Sequence, residues 1–383
     1  MNDFTAVIDF IRSRYPGLER IPLHAPVFRG NEKKYLCDCI DTTFVSYVGE
    51  YVTRFEKMVA EYLGVREAVA MVNGTVALQV ALQIVGVQSG DEVITQALTF
   101  VGTANAIHHA GGRPVFIDSE PDHLGMDPDK LELFLKSHVI QGSKGSVINK
   151  ATGKRIAACV PVHIFGHPAR IEEITRICEH YHIAVVEDAA ESIGSTSRGR
   201  HMGTFGQVGV LSFNGNKVIT TGGGGMIVTD DEKLAGRARH LTTTAKVPHP
   251  WEYYHDEPGF NFRLTNVNAA IGCAQMEEID AFLLEKRRLA GEYAQFFENS
   301  GIRFFREPAQ CCSNYWLNAI ILNNRKERDE FLERTNAQGI MTRPVWVLMN
   351  KLPMYKDCYA SLVENANWLE DRLVNIPSGL PNR

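Results

Sequence analysis

Two residues of this chain, a lysine and an aspartate, have the types and the setting that covalent chemistry needs. Asp188 ends an apolar run that begins at residue 183, and Lys217 follows it by 29 residues, shortly before four glycines at 222–225. A carboxylate at the end of a buried strand and an amine on a glycine-rich turn suit pyridoxal phosphate (PLP). This cofactor needs an amine for a Schiff base and a carboxylate that keeps its ring nitrogen protonated. Taken singly, such residues are more often a capping aspartate and a solvated lysine, so the hypothesis depends on their combination.

A phosphate site is indicated by the segment Asn73-Gly74-Thr75, which follows a predicted strand and opens a predicted helix. Glycine lets the backbone approach a ligand, and the free N–H groups of a helix start attract anions. A plain threonine-capped turn explains the same residues equally well. Ser212 ends another predicted strand five residues before Lys217, so its hydroxyl is a second candidate for the phosphate.

An aromatic ring and the glycine run leave alternatives open. Phe100 follows a predicted strand, and its ring either stacks on PLP or packs in the core, where a single phenylalanine is more often found. The glycines 222–225 are not a P-loop, because Lys217 precedes them, and they lack the GxGxxG spacing of a dinucleotide site. They form either a tight turn between strands or a close backbone approach to cofactor or substrate.

The elements that must position these residues alternate between strand and helix from residue 67 to 230, which predicts a mostly parallel sheet with helices on both faces. Predicted strands lie at 68–72, 92–95, 114–117, 157–164, 183–187, 208–213 and 225–228, and predicted helices at 76–85, 171–182 and 231–240. Beyond residue 250 the pattern predicts helices at 266–299 and 326–337, the second ending at Gly339, and strands at 302–305, 317–322 and 340–346. We therefore expect an N-terminal segment 1–30, a large α/β domain 31–250 and a smaller α+β domain 251–383.

Composition bounds the function classes. The 383 residues are 44% hydrophobic and 22% charged, as is ordinary for a soluble globular protein, and the net charge of −5 does not suggest a nucleic-acid or anionic-membrane partner. The N-terminus lacks the apolar core of a signal peptide, and no apolar stretch is long enough to span a bilayer, so a cytoplasmic protein is expected. The eight scattered cysteines predict free thiols and no metal site.

The ordered motifs resemble the DegT/StrS-type nucleotide-sugar aminotransferases, PLP enzymes of fold type I, from about residue 25 to the C-terminus. The motifs that carry the resemblance are 49–56, 73–78, 90–94, 161–166, 187–190, 212–217, 259–263 and Asn266. Within that family, segments 165–168, 214–217 and 342–346 look like the LegC branch. The resemblance implies an aspartate-aminotransferase-like large domain with a mostly parallel sheet plus a smaller α+β C-terminal domain. It also implies amino transfer from L-glutamate to the C4 ketone of a UDP-linked 4-keto-6-deoxy-N-acetylhexosamine, on the way to legionaminic acid or bacillosamine-like sugars.

The resemblance assigns roles to individual positions. Lys217 matches the lysine that binds PLP and moves a proton, and Asp188 matches the partner of the ring nitrogen. The remaining matches are Phe100 to the stacking aromatic, Gly74, Thr75 and Ser212 to phosphate contacts, Glu191 to a residue near the PLP hydroxyl, and Asn261 to an asparagine that reaches the phosphate from the neighbouring subunit. A homodimer with shared active sites is therefore implied.

Three features depart from the family or leave a choice. Glu191 replaces the usual Gln or His, and a carboxylate beside a phenolate oxygen is unfavourable unless one of them is protonated. Gly223 stands where the family often has Glu, so no catalytic role is expected there. Residues 242–256 are rich in histidine and aromatics and line either the sugar-nucleotide cleft or a dimer interface.

Other functions remain open from the sequence. The sugar could be a dTDP-ketosugar or an 8-keto-octulosonate. The chain could also be a PLP enzyme of another reaction type, a non-catalytic regulatory relative, or a Rossmann-type dehydrogenase. Lys217 argues against the last two, and against the family's dehydratases, which carry histidine in its place.

Overall fold

The computed structural model describes residues 4–142 and 145–380, which fold into twelve α-helices and three β-sheets. The helices are α1 Thr5–Arg14, α2 Glu32–Asp41, α3 Glu50–Leu63, α4 Gly74–Ile84, α5 Val101–His109, α6 Pro128–His138, α7 Ile171–His180, α8 Glu232–Thr242, α9 Asn266–Glu277, α10 Ile279–Phe297, α11 Arg325–Ala337 and α12 Glu364–Glu370. The ends of the predicted segments 1–30 and 251–383, and two positions within 31–250, lie outside the described residues.

The largest sheet is mostly parallel, as predicted. Its strands are β1 Glu67–Met71, β2 Glu92–Gln96, β3 Arg113–Ile117, β4 Val139–Gln141, β5 Val147–Asn149, β6 Arg155–Val160, β7 Ala184–Asp188, β10 Val208–Ser212 and β11 Gly225–Thr229. The order is β1-β11-β10-β7-β6-β2-β3, in which β3, β2, β6, β7 and β10 run parallel. Strand β11 is antiparallel to both of its neighbours, β10 and β1. Strands β4 and β5 form an antiparallel extension beside β6.

Alternate residues of each strand enter different hydrophobic cores, because successive side chains of a strand point to opposite faces of the sheet. In β1, Ala68 and Ala70 pack on one face and Val69 and Met71 on the other. Helices α4, α5 and α8 cover the second face, while α3, α6, α7 and α9 cover the first. Burial on both faces explains why these strands read as almost continuous apolar runs.

The C-terminal part of the chain carries the two small antiparallel sheets, one of which recruits strands from residues 196–201. Strands β12 Arg303–Phe304, β14 Asn318–Ile321, β16 Leu373–Ile376 and β15 Arg343–Pro344 form one sheet in that order, and β13 Cys311–Cys312, β8 Thr196–Ser197 and β9 Arg200–His201 form the other. Helices α1, α10 and α11 pack against the first. One hydrophobic cluster joins Phe55 and Phe213 of the large sheet region to Trp316. The domain boundaries near residues 30 and 250 stay a prediction.

Three predicted elements differ in the structure, each for a local reason. The helix predicted over 266–299 is two helices that meet at Glu278, where φ −105° and ψ −1° depart from the regular helical values of about −63° and −42°. The strand predicted to reach residue 164 ends at Val160, because Pro161 has no N–H to donate. The strand predicted over 340–346 pairs with β16 only at Arg343 and Pro344, where the proline again removes a ladder donor, and Ile340 forms an isolated bridge with Ile21.

Two predictions about the rest of the chain can be compared with the structure. Gly339 follows α11 with φ +74°, the left-handed conformation expected of a glycine after a helix end. All eight cysteines are free thiols. Within residues 4–142 and 145–380, no helix is both long enough and apolar enough to cross a membrane.

Candidate active site

The carboxyl ends of β7 and β10 and the first turn of α4 border a cavity of about 670 Å³. This is the edge at which parallel α/β sheets bind ligands. Seven of the residues singled out from the sequence line this cavity: Gly74, Thr75, Phe100, Asp188, Glu191, Ser212 and Lys217. The fold therefore brings together positions that lie up to 143 residues apart in the sequence.

Lys217 lies on the loop after β10, and its side chain is only 13% exposed. Its ammonium nitrogen lies 3.6 Å from Glu191 Oε1 and 3.8 Å from the centroid of the Trp316 ring, a cation–π distance. The backbone N–H of Lys217 donates to Asn214 O at 3.0 Å. Burial lowers the pKa of this lysine, and the charges of Glu191 and Asp188 oppose that shift. The amine is thus held at the cavity and moved toward its neutral, nucleophilic form.

Glu191 is buried beside the lysine. Burial raises the pKa of its carboxyl to about 7, although the Lys217 charge and a 2.7 Å hydrogen bond from Phe165 N act in the opposite direction. Phe165 adopts φ +57°, a left-handed conformation that is unusual for an aromatic residue. The carboxyl is therefore poised to gain or lose a proton near neutral pH, which meets the condition set by a neighbouring phenolate oxygen.

Asp188 lies at the end of β7 and is 5% exposed. Its carboxylate accepts 2.7 Å and 3.2 Å hydrogen bonds from Thr103 Oγ1 and Ala190 N. Burial raises the pKa of Asp188 in the protein alone, since these two bonds and the more distant Lys217 only partly offset it. A cation placed against this carboxylate would stabilise its charged form, so the residue suits a protonated pyridine ring.

The first turn of α4 lies against Ser212. The side chain of Asn73 caps the helix by accepting a 2.9 Å hydrogen bond from Val76 N. The backbone N–H groups of Gly74 and Thr75 and the hydroxyls of Thr75 and Ser212 make no hydrogen bond within the described residues. A Cβ on Gly74 would lie 3.1 Å from the Ser212 Cβ, so glycine keeps this approach open. Unpartnered donors at a helix start suit a phosphate group.

The four glycines 222–225 have different local constraints. Gly222 adopts φ +82°, and Gly225 begins β11 directly against the backbone of the Asn73–Gly74 turn. A Cβ on Gly225 would lie 2.6 Å from Gly74 N, whereas one on Gly223 would meet nothing closer than 3.7 Å. The close approach that the run provides is therefore to the protein's own Asn73–Gly74 turn.

Phe100 is a wall of the cavity and is not part of the core, since 53% of it is exposed. It precedes α5, and its ring lies 6.0 Å from that of Trp346. An exposed aromatic ring at the cavity is available to stack on a planar cofactor.

Asn261 does not line the cavity of its own chain. It is exposed and forms an isolated antiparallel bridge with Thr243. Most of segment 242–256 also lies apart from the Lys217 cavity and borders a separate surface pocket together with Tyr47. The side chains of Trp251, Tyr253 and Tyr254 in this segment are 63–82% exposed.

Sequence reasoning missed three cavity residues. Thr103 binds Asp188, Trp316 covers Lys217, and Arg343 lies at the wall formed by β15. The hydroxyls of Thr99 and Thr103 lie 2.8 Å apart, but Thr99 precedes α5, so no helical spacing in the sequence marks this pair. No periodic pattern marks Trp316, which reaches the site from the loop between β13 and β14.

The fold and the site together define a PLP enzyme of fold type I. Comparison with known proteins then gives the family: residues 27–380 match the DegT/DnrJ/EryC1/StrS aminotransferases, and the chain belongs to that family. It is 36% identical over 363 residues to "GDP-perosamine synthase" of Escherichia coli O157:H7, covering 94% of each chain. It is also 36% identical over 366 residues to "Putative pyridoxal phosphate-dependent aminotransferase EpsN" of Bacillus subtilis, covering 94% of this chain and 91% of the relative.

A solved structure agrees with this assignment. The aminotransferase TlmJ from Streptoalloteichus hindustanus superposes with a TM-score of 0.84 at 28% identity, over 94% of this chain and 93% of that one. The protein is therefore a PLP-dependent nucleotide-sugar aminotransferase. This confirms the predicted class of enzyme, while the identity of the sugar stays a prediction.

Proposed function

We propose that the protein transfers the amino group of L-glutamate to the C4 ketone of UDP-4-keto-6-deoxy-N-acetylhexosamine, giving UDP-4-amino-4,6-dideoxy-N-acetylglucosamine for a surface glycan. The observation that supports the chemistry is that Lys217, Asp188 and the Gly74–Thr75 turn line one cavity. The N–H groups of that turn make no hydrogen bond within the described residues and so are available to a phosphate. The segment 342–346, one of the LegC-like motifs, contributes Arg343 and Trp346 to the same cavity, which supports the sugar assignment.

The cavity residues have separate roles in the proposed reaction. PLP, when bound, supplies an electron sink that is conjugated to the amine of the substrate. Gly74, Thr75 and Ser212 would hold its phosphate, Asp188 its ring nitrogen and Phe100 its face. Lys217 would move a proton at Nζ as general base and then as general acid, because burial lowers its pKa and so favours the neutral amine that can accept a proton. Glu191 would hold or release the balancing proton beside it.

The assembly we propose is a homodimer with shared active sites. Asn261 is exposed and outside its own cavity, as a residue that serves the partner's phosphate site should be. Exposed apolar side chains also occur in the 242–256 segment and on either side of Tyr47 in the sequence: Trp251, Tyr253, Phe44, Val45 and Val48 are each 48% exposed or more. Burying such a surface in a dimer interface would remove it from water. Light scattering should give twice the monomer mass of 42.8 kDa.

A GDP-linked keto sugar is the second candidate substrate, because a relative at 36% identity is named GDP-perosamine synthase. The test begins with the absorbance spectrum of the purified protein before and after L-glutamate. A band near the visible edge that bleaches as 2-oxoglutarate is released establishes the first half of the transfer. UDP-4-keto-6-deoxy-N-acetylhexosamine and a GDP-linked 4-keto-6-deoxyhexose are then compared for recovery of the band.

Recovery at least tenfold faster with the UDP sugar is the result we expect. Faster recovery with the GDP sugar would transfer the assignment to the second candidate. A protein that bleaches with glutamate but recovers with neither sugar would contradict both nucleotide assignments.

A further inference from the structure

Both substrates of the proposed reaction are anions, so the cavity needs a cation besides the one that performs the chemistry. Glutamate carries carboxylates and a nucleotide sugar carries a diphosphate. Among the described residues that line the cavity, the charged side chains are Asp188, Glu191, Lys217 and Arg343. Lys217 is already paired with Glu191. Arg343 forms no ion pair with an acidic side chain anywhere in residues 4–142 and 145–380.

The Arg343 guanidinium is held by one edge only. Its Nη1 donates to Asn336 Oδ1 at 2.8 Å and to Thr342 O at 2.7 Å. Its Nε and Nη2 make no hydrogen bond within the described chain. The planar fork of an arginine with one edge free matches the two oxygens of a carboxylate or of a phosphate.

The residues that orient the arginine are themselves fixed. Asn336 Nδ2 donates to Thr342 Oγ1 at 2.9 Å and to Leu332 O at 2.8 Å. Thr342 Oγ1 lies 2.6 Å from the hydroxyl of Thr335, and both threonines are buried. The last turn of α11 thus holds one edge of the Arg343 guanidinium, and Arg343 lines the cavity. Because the side chain is already oriented, it loses less conformational entropy when a ligand binds.

From this arrangement we infer that Arg343 is the anchor for an oxyanion of the substrate, either a carboxylate of the amino donor or a phosphate of the nucleotide sugar. The inference rests on the proposed function and deepens it. No other cationic side chain of the described cavity lining is free to take this role.

The test measures direct binding to the PLP-loaded protein. Glutarate, a dicarboxylate that lacks the reacting amine, and UDP, which lacks the sugar, are titrated by calorimetry into the wild type, Arg343→Gln and Arg343→Lys. Loss of a charge-assisted bidentate contact should weaken binding of one probe by about 10- to 100-fold. The affinity of Arg343→Lys for that probe should lie between those of the wild type and Arg343→Gln, because a lysine keeps the charge but not the planar pair of donors. Arg325→Gln, which removes an arginine of α11 that does not line the cavity, is the matched control and should bind both probes normally.

The outcomes separate the sources of the anion. Weakened glutarate binding identifies the donor carboxylate, and weakened UDP binding identifies the nucleotide phosphate. Unchanged binding of both probes by folded Arg343→Gln overturns the inference. Failure of the proposed function would show differently, as a wild-type protein that neither bleaches with glutamate nor reacts with a keto sugar.

Discussion

Gly225 gives the sharpest steric prediction for this protein. A Cβ at this position would lie 2.6 Å from Gly74 N and closer still to the carbonyl carbon and oxygen of Asn73, while ordinary contacts begin at 3.4 Å, so the start of β11 and the Asn73–Gly74 turn must separate by about 1 Å in Gly225→Ala. The obstructing atoms belong to the backbone and cannot rotate away. Overpacking of this kind costs about 1–3 kcal/mol. With an unfolding entropy of about 2.1 cal/mol/K per residue, that free energy lowers Tm by about 1–4 °C.

The same shift moves the N–H groups that should bind the phosphate. Losing one hydrogen bond to a charged group costs about 1.5–3 kcal/mol, so the affinity of Gly225→Ala for PLP should fall by about 10- to 100-fold. Gly223→Ala is the matched control, because its Cβ would meet nothing closer than 3.7 Å. Differential scanning calorimetry of the apoprotein and a fluorescence titration with PLP measure the two effects. A Gly225→Ala protein with the Tm and PLP affinity of Gly223→Ala would refute the steric reasoning.

Three further predictions concern the other cavity residues. Asp188→Asn should lower the rate of the glutamate half-reaction by about 10²-fold or more, because the carboxylate that favours a protonated ring is lost; a change of less than threefold in stopped-flow absorbance would contradict this role. Glu191→Gln removes the charge that raises the pKa of Lys217, so the pH midpoint for PLP uptake by the apoprotein should fall; an unchanged or higher midpoint would show that the pair is not coupled. Trp316→Phe should cost about 1 kcal/mol more free energy of unfolding in urea than Trp346→Phe, because the Trp316 indole donates to Asn216 O at 2.6 Å and the Trp346 indole has no acceptor among the described residues; equal costs would count against this bond.

The catalytic half of the site could be predicted from the sequence because its residues directly follow regular elements. Asp188 ends β7, Ser212 ends β10, and Gly74 begins α4, so the period of the apolar residues locates all three at one edge of the sheet. The position of Lys217 near this edge could also be predicted, because only five residues of sequence separate it from Ser212. The parallel arrangement was predictable for the same reason, since strands buried on both faces are apolar throughout.

Other parts of the site depend on contacts that leave no local pattern. Trp316 lies in the loop before β14 and Arg343 lies on β15, and only tertiary packing brings them to the cavity of Lys217. The pKa of Glu191 depends on its burial, which its type and spacing do not reveal. The strand predicted over 340–346 was too long because hydrophobic patterning does not account for the missing N–H of Pro344.

The role of Lys217 is the central claim, and the chain contains a second buried lysine with which to test it. Lys286 also has a pKa lowered by burial, to about 7, but its Nζ donates to Trp316 O and Ser378 O at 3.1 and 2.8 Å and does not line the cavity. The decisive measurement is reduction of the PLP-loaded protein with borohydride, followed by peptide mass spectrometry. We predict a single phosphopyridoxyl group on Lys217. A label on Lys286 or on another lysine, with Lys217 unmodified, would contradict the account of this site.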